Sequence, residues 1–410
     1  ILYNLFIKTV YFSKPVHLNV AFEEPLSDFV SLPSVKIQNK IKYTLKNDDH
    51  TVFDSSLIKG YKKIIILFGC ANEGILSENV ITKLSQCNNI VVLKETTSNI
   101  NNTSFFGKID QLIAPIEHYE NSSDLFNKLS PELLITVGGM VVSKKIKTML
   151  RAYRPSAHIH LGHNDAKDTF YSGVEHFKID PDLFFKTCLD EFFSNYNYKK
   201  LWIDISKKRE LAHAKYISDS PFSDLKVFSL LQSRIPSNYS IQVSNSSTIR
   251  YMQLFDYDPL SKVYCNRGTS GIDGSTSTAI GASVKSVCPT LLITGDLSFF
   301  YDSNGLWNSH IKPSFRIIVI NNKGGGIFKI LPGYKKNLIS TEFIETKHDL
   351  NAKQLAKMYG FDYLKTKSEI GLKWNLFNFF NKSSKPKILE ISTNSDLSSD
   401  LLKKYFINLK

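Results

Sequence analysis

The chain has 410 residues, of which 42% are hydrophobic and 22% charged, and a formal net charge of +13. That length exceeds what one hydrophobic core supports, so two or three domains are expected, and the apolar-to-charged balance excludes a disordered or fibrous class. No apolar run reaches the ~18 residues of a membrane helix, and the basic residues fall in scattered groups such as Lys207–Arg209 and Lys335–Lys336. The charge therefore reads as a solvated surface with a mild pull on small anions, and neither nucleic acid nor membrane is expected as a partner.

The opening segment Ile1–Phe12 is apolar but contains Asn4 and Lys8 and has no small-residue cleavage site, which argues against a secretory signal. It lacks an initiator Met, and the chain is expected to begin inside a longer protein. Pro15–Val20 alternates apolar and polar residues, the period of a strand. The stretch from Ser27 to Lys59, rich in Asn, Asp, Ser and Lys, reads as a linker. Apolar runs then recur at Lys63–Gly69, Asn89–Leu93, Leu133–Gly138 and Ala157–Leu161, each followed by a turn or helical pattern. Such alternation predicts a parallel sheet with crossover helices, a Rossmann-like unit. No G-x-G-x-x-G is present, so a dinucleotide site is not supported. The aromatic and charged stretch Phe192–Glu210 is read as a domain junction. Beyond it, strands are expected at Tyr239–Val243, Lys262–Tyr264, Thr290–Thr294, Phe315–Ile320 and Lys387–Ile391, with helices at Ser275–Val287 and Asn351–Met358. The five cysteines (Cys70, Cys87, Cys188, Cys265, Cys288) form no C-x-x-C pair and have no histidine at metal-ligand spacing. Reduced thiols and a cytoplasmic location are expected.

Two short blocks carry the chemistry. Gly295-Asp296-Leu297-Ser298 follows the apolar run Thr290–Thr294, and Asn321-Asn322-Lys323-Gly324-Gly325-Gly326 follows Phe315–Ile320. Asp296 and Asn322 stand 26 positions apart, room for one helix and a return strand. Consecutive parallel strands would deliver both to the carboxyl edge of one sheet, where ligands bind in open α/β folds. Mg²⁺ (or Mn²⁺) wants about six oxygens and commonly takes one or two carboxylates plus phosphate oxygens. Asp296 can supply the carboxylate, Asn322 an amide oxygen and the Gly324 region a main-chain carbonyl. Backbone amides over Gly295–Ser298 can face phosphates. Alone, an Asp after a strand is often a helix cap and Asn-Asn-x-Gly is often a turn; it is the pair at this spacing that is informative.

The G-D-x…N-N pair resembles the cofactor signature of thiamine-diphosphate-dependent enzymes, with Leu297 where the second Gly usually stands. Asn266-Arg267-Gly268-Thr269-Ser270-Gly271-Ile272-Asp273-Gly274 resembles the N-R-G-A-S-G-I-D-G stretch of the 2-succinyl-5-enolpyruvyl-6-hydroxy-3-cyclohexene-1-carboxylate synthases of menaquinone biosynthesis. Asn245-Ser246-Ser247-Thr248-Ile249-Arg250 resembles their N-S-x-x-[VI]-R stretch, and Pro15–Val20 with Phe22–Leu26 the end of their N-terminal domain.

The resemblance implies an α/β thiamine-diphosphate-binding fold of parallel sheets flanked by helices. Residues 1–26 would end a pyrimidine-binding domain, 27–60 would be a linker, 61–200 a central Rossmann-like domain and 201–410 the diphosphate-binding domain. It further implies a transferase that decarboxylates 2-oxoglutarate with thiamine diphosphate and adds the succinic-semialdehyde unit to isochorismate. Ser246, Arg250 and Arg267 would bind substrate. Ile272, Gly295, Asp296, Leu297, Ser298, Asn322, Ile327 and Phe328 would contact cofactor, with Leu331 in the same apolar wall, and Asp296, Asn322 and Gly324 would hold the metal. The family builds its site between subunits, so a homo-oligomer (a dimer or dimer of dimers) is expected. The glutamate that activates the cofactor lies in the family's pyrimidine-binding domain. Glu23 and Glu24 do not match it, so no catalytic residue is expected in this chain, which alone is expected to be inactive. Another thiamine-diphosphate-dependent 2-oxoacid decarboxylase or synthase, or a catalytically incomplete cofactor-binding fragment, remain the alternatives.

Overall fold

The computed structural model describes residues 5, 9, 10, 15–20, 58–192, 195–330, 334 and 337–410. The chain is α/β, built on two all-parallel sheets flanked by helices. The first sheet holds β1 (Ile64–Phe68), β2 (Ile90–Lys94), β3 (Leu133–Val137), β4 (Ala157–Leu161) and β5 (Val174–Phe177) in the order β2-β1-β3-β4-β5. The second holds β6 (Ser240–Val243), β7 (Lys262–Cys265), β8 (Thr290–Gly295), β9 (Arg316–Asn321), β10 (Asp362–Thr366) and β11 (Lys387–Ser392) in the order β10-β11-β9-β8-β6-β7. Among the described residues, no helix is long and apolar enough to cross a membrane.

The strand runs are continuous because helices cover both faces of each sheet. In β1, Ile64, Ile66 and Phe68 enter one core and Ile65 and Leu67 the core on the opposite face. In β8, Leu291 and Ile293 face one layer and Leu292 the other. A strand buried on both sides reads as an unbroken apolar segment, and its β-branched residues suit the pleat. β5 and β10 were not anticipated. Each lies at a sheet edge with half-exposed faces and polar residues (VEHF, DYLKT), so neither period-2 alternation nor an apolar run marks it.

Pro15–Val20 is a correction. These residues form no strand and are exposed, with Val16, Leu18 and Val20 at 38%, 43% and 52% exposure. A strand needs a ladder partner, and among the described residues none pairs with this segment. Phe22–Leu26, Glu23 and Glu24, and the linker up to residue 57, lie outside the described residues.

The expected junction is a helix. Tyr198–Asp219 runs 22 residues, opened by Asn197, whose side chain accepts from Lys200 N. Its first turns bury Tyr198 and Trp202 in a core of the first sheet, and its later turns pack Ala212, Tyr216 and Ile217 against the core of the second. Asn99, held in the left-handed region (φ 53°), completes the contact between the two units. Its amide donates to Val263 O (3.1 Å) and accepts from Val263 N (2.8 Å), pairing the outer edge of β7 as another strand would.

Candidate active site

In the second sheet the strand order reverses between β6 and β8, and the residues leaving β6, β8 and β9 converge there. Register sets Gly295 opposite Ile320, so Asp296 and Asn322 leave neighbouring strand ends. They line a cavity of about 90 Å³, together with Asp224, Ser246, Ile272, Leu297, Ser298, Gly324 and Phe328 among others. Gly295 borders it too. Of the residues singled out in the sequence, Arg250, Arg267 and Ile327 do not line this cavity, and Leu331 lies outside the described residues.

Asp296 is buried at the start of the helix Asp296–Tyr301. Its Oδ1 accepts from Leu297 N (2.7 Å) and its Oδ2 from Gly324 N (3.0 Å). His348 brings Nε2 to 3.2 Å from Oδ2, without the alignment of a hydrogen bond. Its Nδ1 accepts from Leu350 N (3.1 Å), which leaves the ring proton on Nε2, facing the carboxylate. Gly324 has φ +140°, and a Cβ there would lie 2.6 Å from the Glu345 carbonyl oxygen. That carbonyl accepts from Gly325 N at 2.6 Å, so the glycine turn is pressed against the 345–347 segment.

The Asn322 amide has a defined direction. Its Nδ2 donates to Asp224 Oδ2 (3.0 Å), while its Oδ1 is buried with no hydrogen-bond partner. Leaving a buried acceptor unpaired costs about 1–3 kcal/mol, so this oxygen is set for an electrophile. The Asp296 carboxylate and the Asn322 amide oxygen are hard donors that suit Mg²⁺ or Mn²⁺. Among the described residues no group of three or more His, Cys, Asp and Glu is placed to hold a metal. On these observations the residues present fit a metal diphosphate.

The two motif loops are stitched together by Asn245. Its Nδ2 donates to Asn266 O and Gly271 O (both 2.7 Å), and its Oδ1 accepts from Arg267 Nη1 (2.7 Å). Ser298 Oγ donates to Ile272 O, which anchors the same loop over the cavity. Ser246, next in line, sits at φ 69°, ψ −130°. A non-glycine residue there stores roughly 1–3 kcal/mol of strain, a common property of binding loops.

Beyond this cavity, Arg250 and Arg267 face the end of β2. Glu95 follows that strand, is 2% exposed, and accepts from Val142 N (2.7 and 2.9 Å) and Ser143 N (2.7 Å). Burial pushes its carboxyl up to about 7, opposed by those two amides and more distantly by Arg267. Arg250 is lowered from the ordinary guanidinium value by burial, opposed most strongly by the Asp110 charge. Sequence reasoning missed Asp224, Asn245, Glu95, Asp110 and His348. Asn245 opens the block that contains Ser246, and Glu95 repeats the acid-after-strand pattern of Asp296, so both carried a signal. Asp224, Asp110 and His348 are single polar residues near helix starts or in loops and carried none.

No family model matches the chain. It is 43% identical over 406 residues to the 2-succinyl-5-enolpyruvyl-6-hydroxy-3-cyclohexene-1-carboxylate synthase of Christiangramia forsetii, covering 97% of this chain and 69% of the relative. The synthases of Flavobacterium johnsoniae (44% over 416 residues; 99% and 74%) and Flavobacterium psychrophilum (43% over 399; 96% and 71%) are similarly close. The chain belongs to this synthase family. It is thereby a chain of a transferase of menaquinone biosynthesis, and the shared region includes both strand-end blocks and the loops joined by Asn245.

Proposed function

We propose that the chain supplies the diphosphate- and metal-binding half of a thiamine diphosphate site, and that the enzyme decarboxylates 2-oxoglutarate and adds the succinic-semialdehyde unit to isochorismate. The observation that carries this reading is the orphaned Oδ1 of Asn322 beside the Asp296 carboxylate, at adjacent strand ends of a chain whose relatives bear the synthase name.

Mg²⁺ or Mn²⁺ would be held by Asp296, Asn322 Oδ1 and the Gly324 carbonyl, with the diphosphate completing the shell. When bound, thiamine diphosphate supplies an electron sink for decarboxylation. Gly295, Leu297 and Ser298 line the cavity and would border the diphosphate, and Ile272, fixed through its carbonyl by Ser298, would offer an apolar edge to the cofactor. Phe328, beside Ile327, would add an apolar wall to the cofactor cavity. The substrates are anions, and Arg250 and Arg267 supply planar, permanently charged forks that bind carboxylates bidentately. Arg267 keeps its Nε buried and unpartnered while Asn245 holds one end of its guanidinium, so the side chain is oriented with donor capacity to spare. Ser246 lines the cavity and would offer its hydroxyl to substrate.

The test is a coupled assay on the protein at its natural length with Mg²⁺, thiamine diphosphate, 2-oxoglutarate and isochorismate. It should show carbon dioxide release and loss of isochorismate in equal amounts. Carbon dioxide release without ligation product would sink the proposed reaction. Full activity on pyruvate after Arg267→Ala would instead favour another thiamine-dependent decarboxylase.

A further inference from the structure

We propose that Asp224 is a positioning residue that makes Asn322 a metal ligand, by taking the amide NH₂ and holding the amide oxygen toward the metal–diphosphate cradle. The inference rests on the cofactor reading above and goes beyond it, because Asp224 belongs to no motif and need not touch cofactor or substrate to act.

The argument starts from the shape of an asparagine. Its oxygen and NH₂ ends are nearly isosteric, so only neighbouring hydrogen-bond partners decide which end faces a cation. With the oxygen inward, Asn322 is a ligand. Turned over, it presents two positive N–H groups and repels the ion. Asp224 settles the choice because its Oδ2 accepts from Asn322 Nδ2 at 3.0 Å while its Oδ1 is taken by Thr393, so the NH₂ end of the amide is the one held toward it.

Asp224 cannot easily give way. It is 2% exposed and opens the helix Asp224–Gln232, capped by Ser223. Its Oδ1 accepts from Thr393 Oγ1 (2.5 Å), and its main-chain N donates to Ser398 Oγ (3.0 Å). Thr393 is itself tied to the metal-side strand, since its N donates to Asn321 O (3.1 Å). Both carboxylate oxygens are thus engaged, and three chain segments lock the rotamer. Gly326 also approaches the amide closely: a Cβ added there would lie 3.3 Å from Asn322 Nδ2. Among the described residues, Asp224 is the one acceptor within hydrogen-bond reach of this NH₂. Supporting groups of this kind, one step removed from the metal, typically change metal affinity by about 10–100-fold when removed.

A double-mutant cycle separates orientation from general support. Mn²⁺ affinity is measured by electron paramagnetic resonance of the free ion, in the presence of thiamine diphosphate, on the protein at its natural length. Asp224→Ala should weaken Mn²⁺ by about 10–100-fold, and the isosteric Asp224→Asn should weaken it in the same direction. The melting temperature of the metal-free protein checks that each is folded; Asp224→Asn decides the question if Asp224→Ala does not fold. In an Asn322→Asp background, where an oxygen stands at both ends of the side chain, the same substitutions should leave Mn²⁺ affinity unchanged or tighter. Equal losses in both backgrounds, or no loss in the Asn322 background, would overturn the proposal while leaving the cofactor reading intact. If Asp296→Ala binds Mn²⁺ as the unsubstituted protein does, the cofactor reading itself falls, and this inference with it.

Discussion

Gly324→Ala is the most direct probe of the cradle. The glycine sits at φ +140°, where an L side chain is strained by roughly 1–3 kcal/mol. The new methyl would also lie 2.6 Å from the Glu345 carbonyl oxygen, against the 3.4 Å at which ordinary contact begins, so the turn must shift by roughly 0.8 Å. That shift strains the Gly325 N to Glu345 O bond and the Gly324 N to Asp296 Oδ2 bond, each worth about 0.5–1.5 kcal/mol. Together these amount to about 2–6 kcal/mol, or a fall of roughly 4–24 °C in melting temperature for a domain of this size. Calorimetry of the metal-free protein measures it. The control is Gly281→Ala. Gly281 lies within the helix Ser275–Lys285 with nothing within 4 Å of its added Cβ, so the substitution should stabilise by about 0.5–1 kcal/mol. Mn²⁺ affinity should fall for Gly324→Ala alone. A Gly324→Ala protein that melts with its parent would refute the account of the turn.

Asn245→Ala should cost about 2–4 kcal/mol, because it leaves Asn266 O, Gly271 O and Arg267 Nη1 without their partner; denaturant melts report the loss, and unchanged stability would count against the stitching role. Arg267→Ala should lower kcat/KM for the dicarboxylate substrate by about 10–100-fold, the worth of a charged hydrogen bond, and steady-state kinetics with 2-oxoglutarate tests this. Acid should destabilise the fold. Burial lowers His158, His160 and His213 from 6.5 to about 4, so these rings stay neutral in the fold while the unfolded chain takes up protons first. Stability is then full above pH ~6.5 and falls as the pH drops toward 4. Glu95, raised to about 7, acts in the opposite sense by favouring the fold as pH falls from 7. Three histidines outweigh one glutamate, and after solvent screening a net loss on the order of 3 kcal/mol is expected by pH 5. A melting temperature at pH 5 equal to that at pH 7 would contradict it.

The buried strands were legible because burial on both faces turns a strand into an unbroken apolar run: Ala157–Leu161 was placed to the residue, and Thr290–Gly295 to within one. The same logic hid β5 and β10, where one side of the strand meets solvent, and it misread Pro15–Val20, whose alternation has no neighbouring strand among the described residues to pair with. Asp296 and Asn322 were readable for a related reason. A polar residue at the end of an apolar run is a local pattern, and the next strand in a parallel sheet repeats it nearby.

What surrounds them was not local. Asp224 reaches Asn322 across 98 positions, and Asn99 reaches Val263 across 164. In sequence, Asp224 is only a polar residue at a helix start, where capping is the default reading. The residue types and their spacing thus determined by themselves that a carboxylate and an amide would stand together at one sheet edge. Which end of the Asn322 amide faces that site, which carboxylates stand behind the arginines, and how tightly Gly324 is pressed against Glu345 were decided only by tertiary packing. The physical reason is that hydrogen-bond direction and steric clearance depend on partners that folding, not sequence proximity, brings within 3 Å.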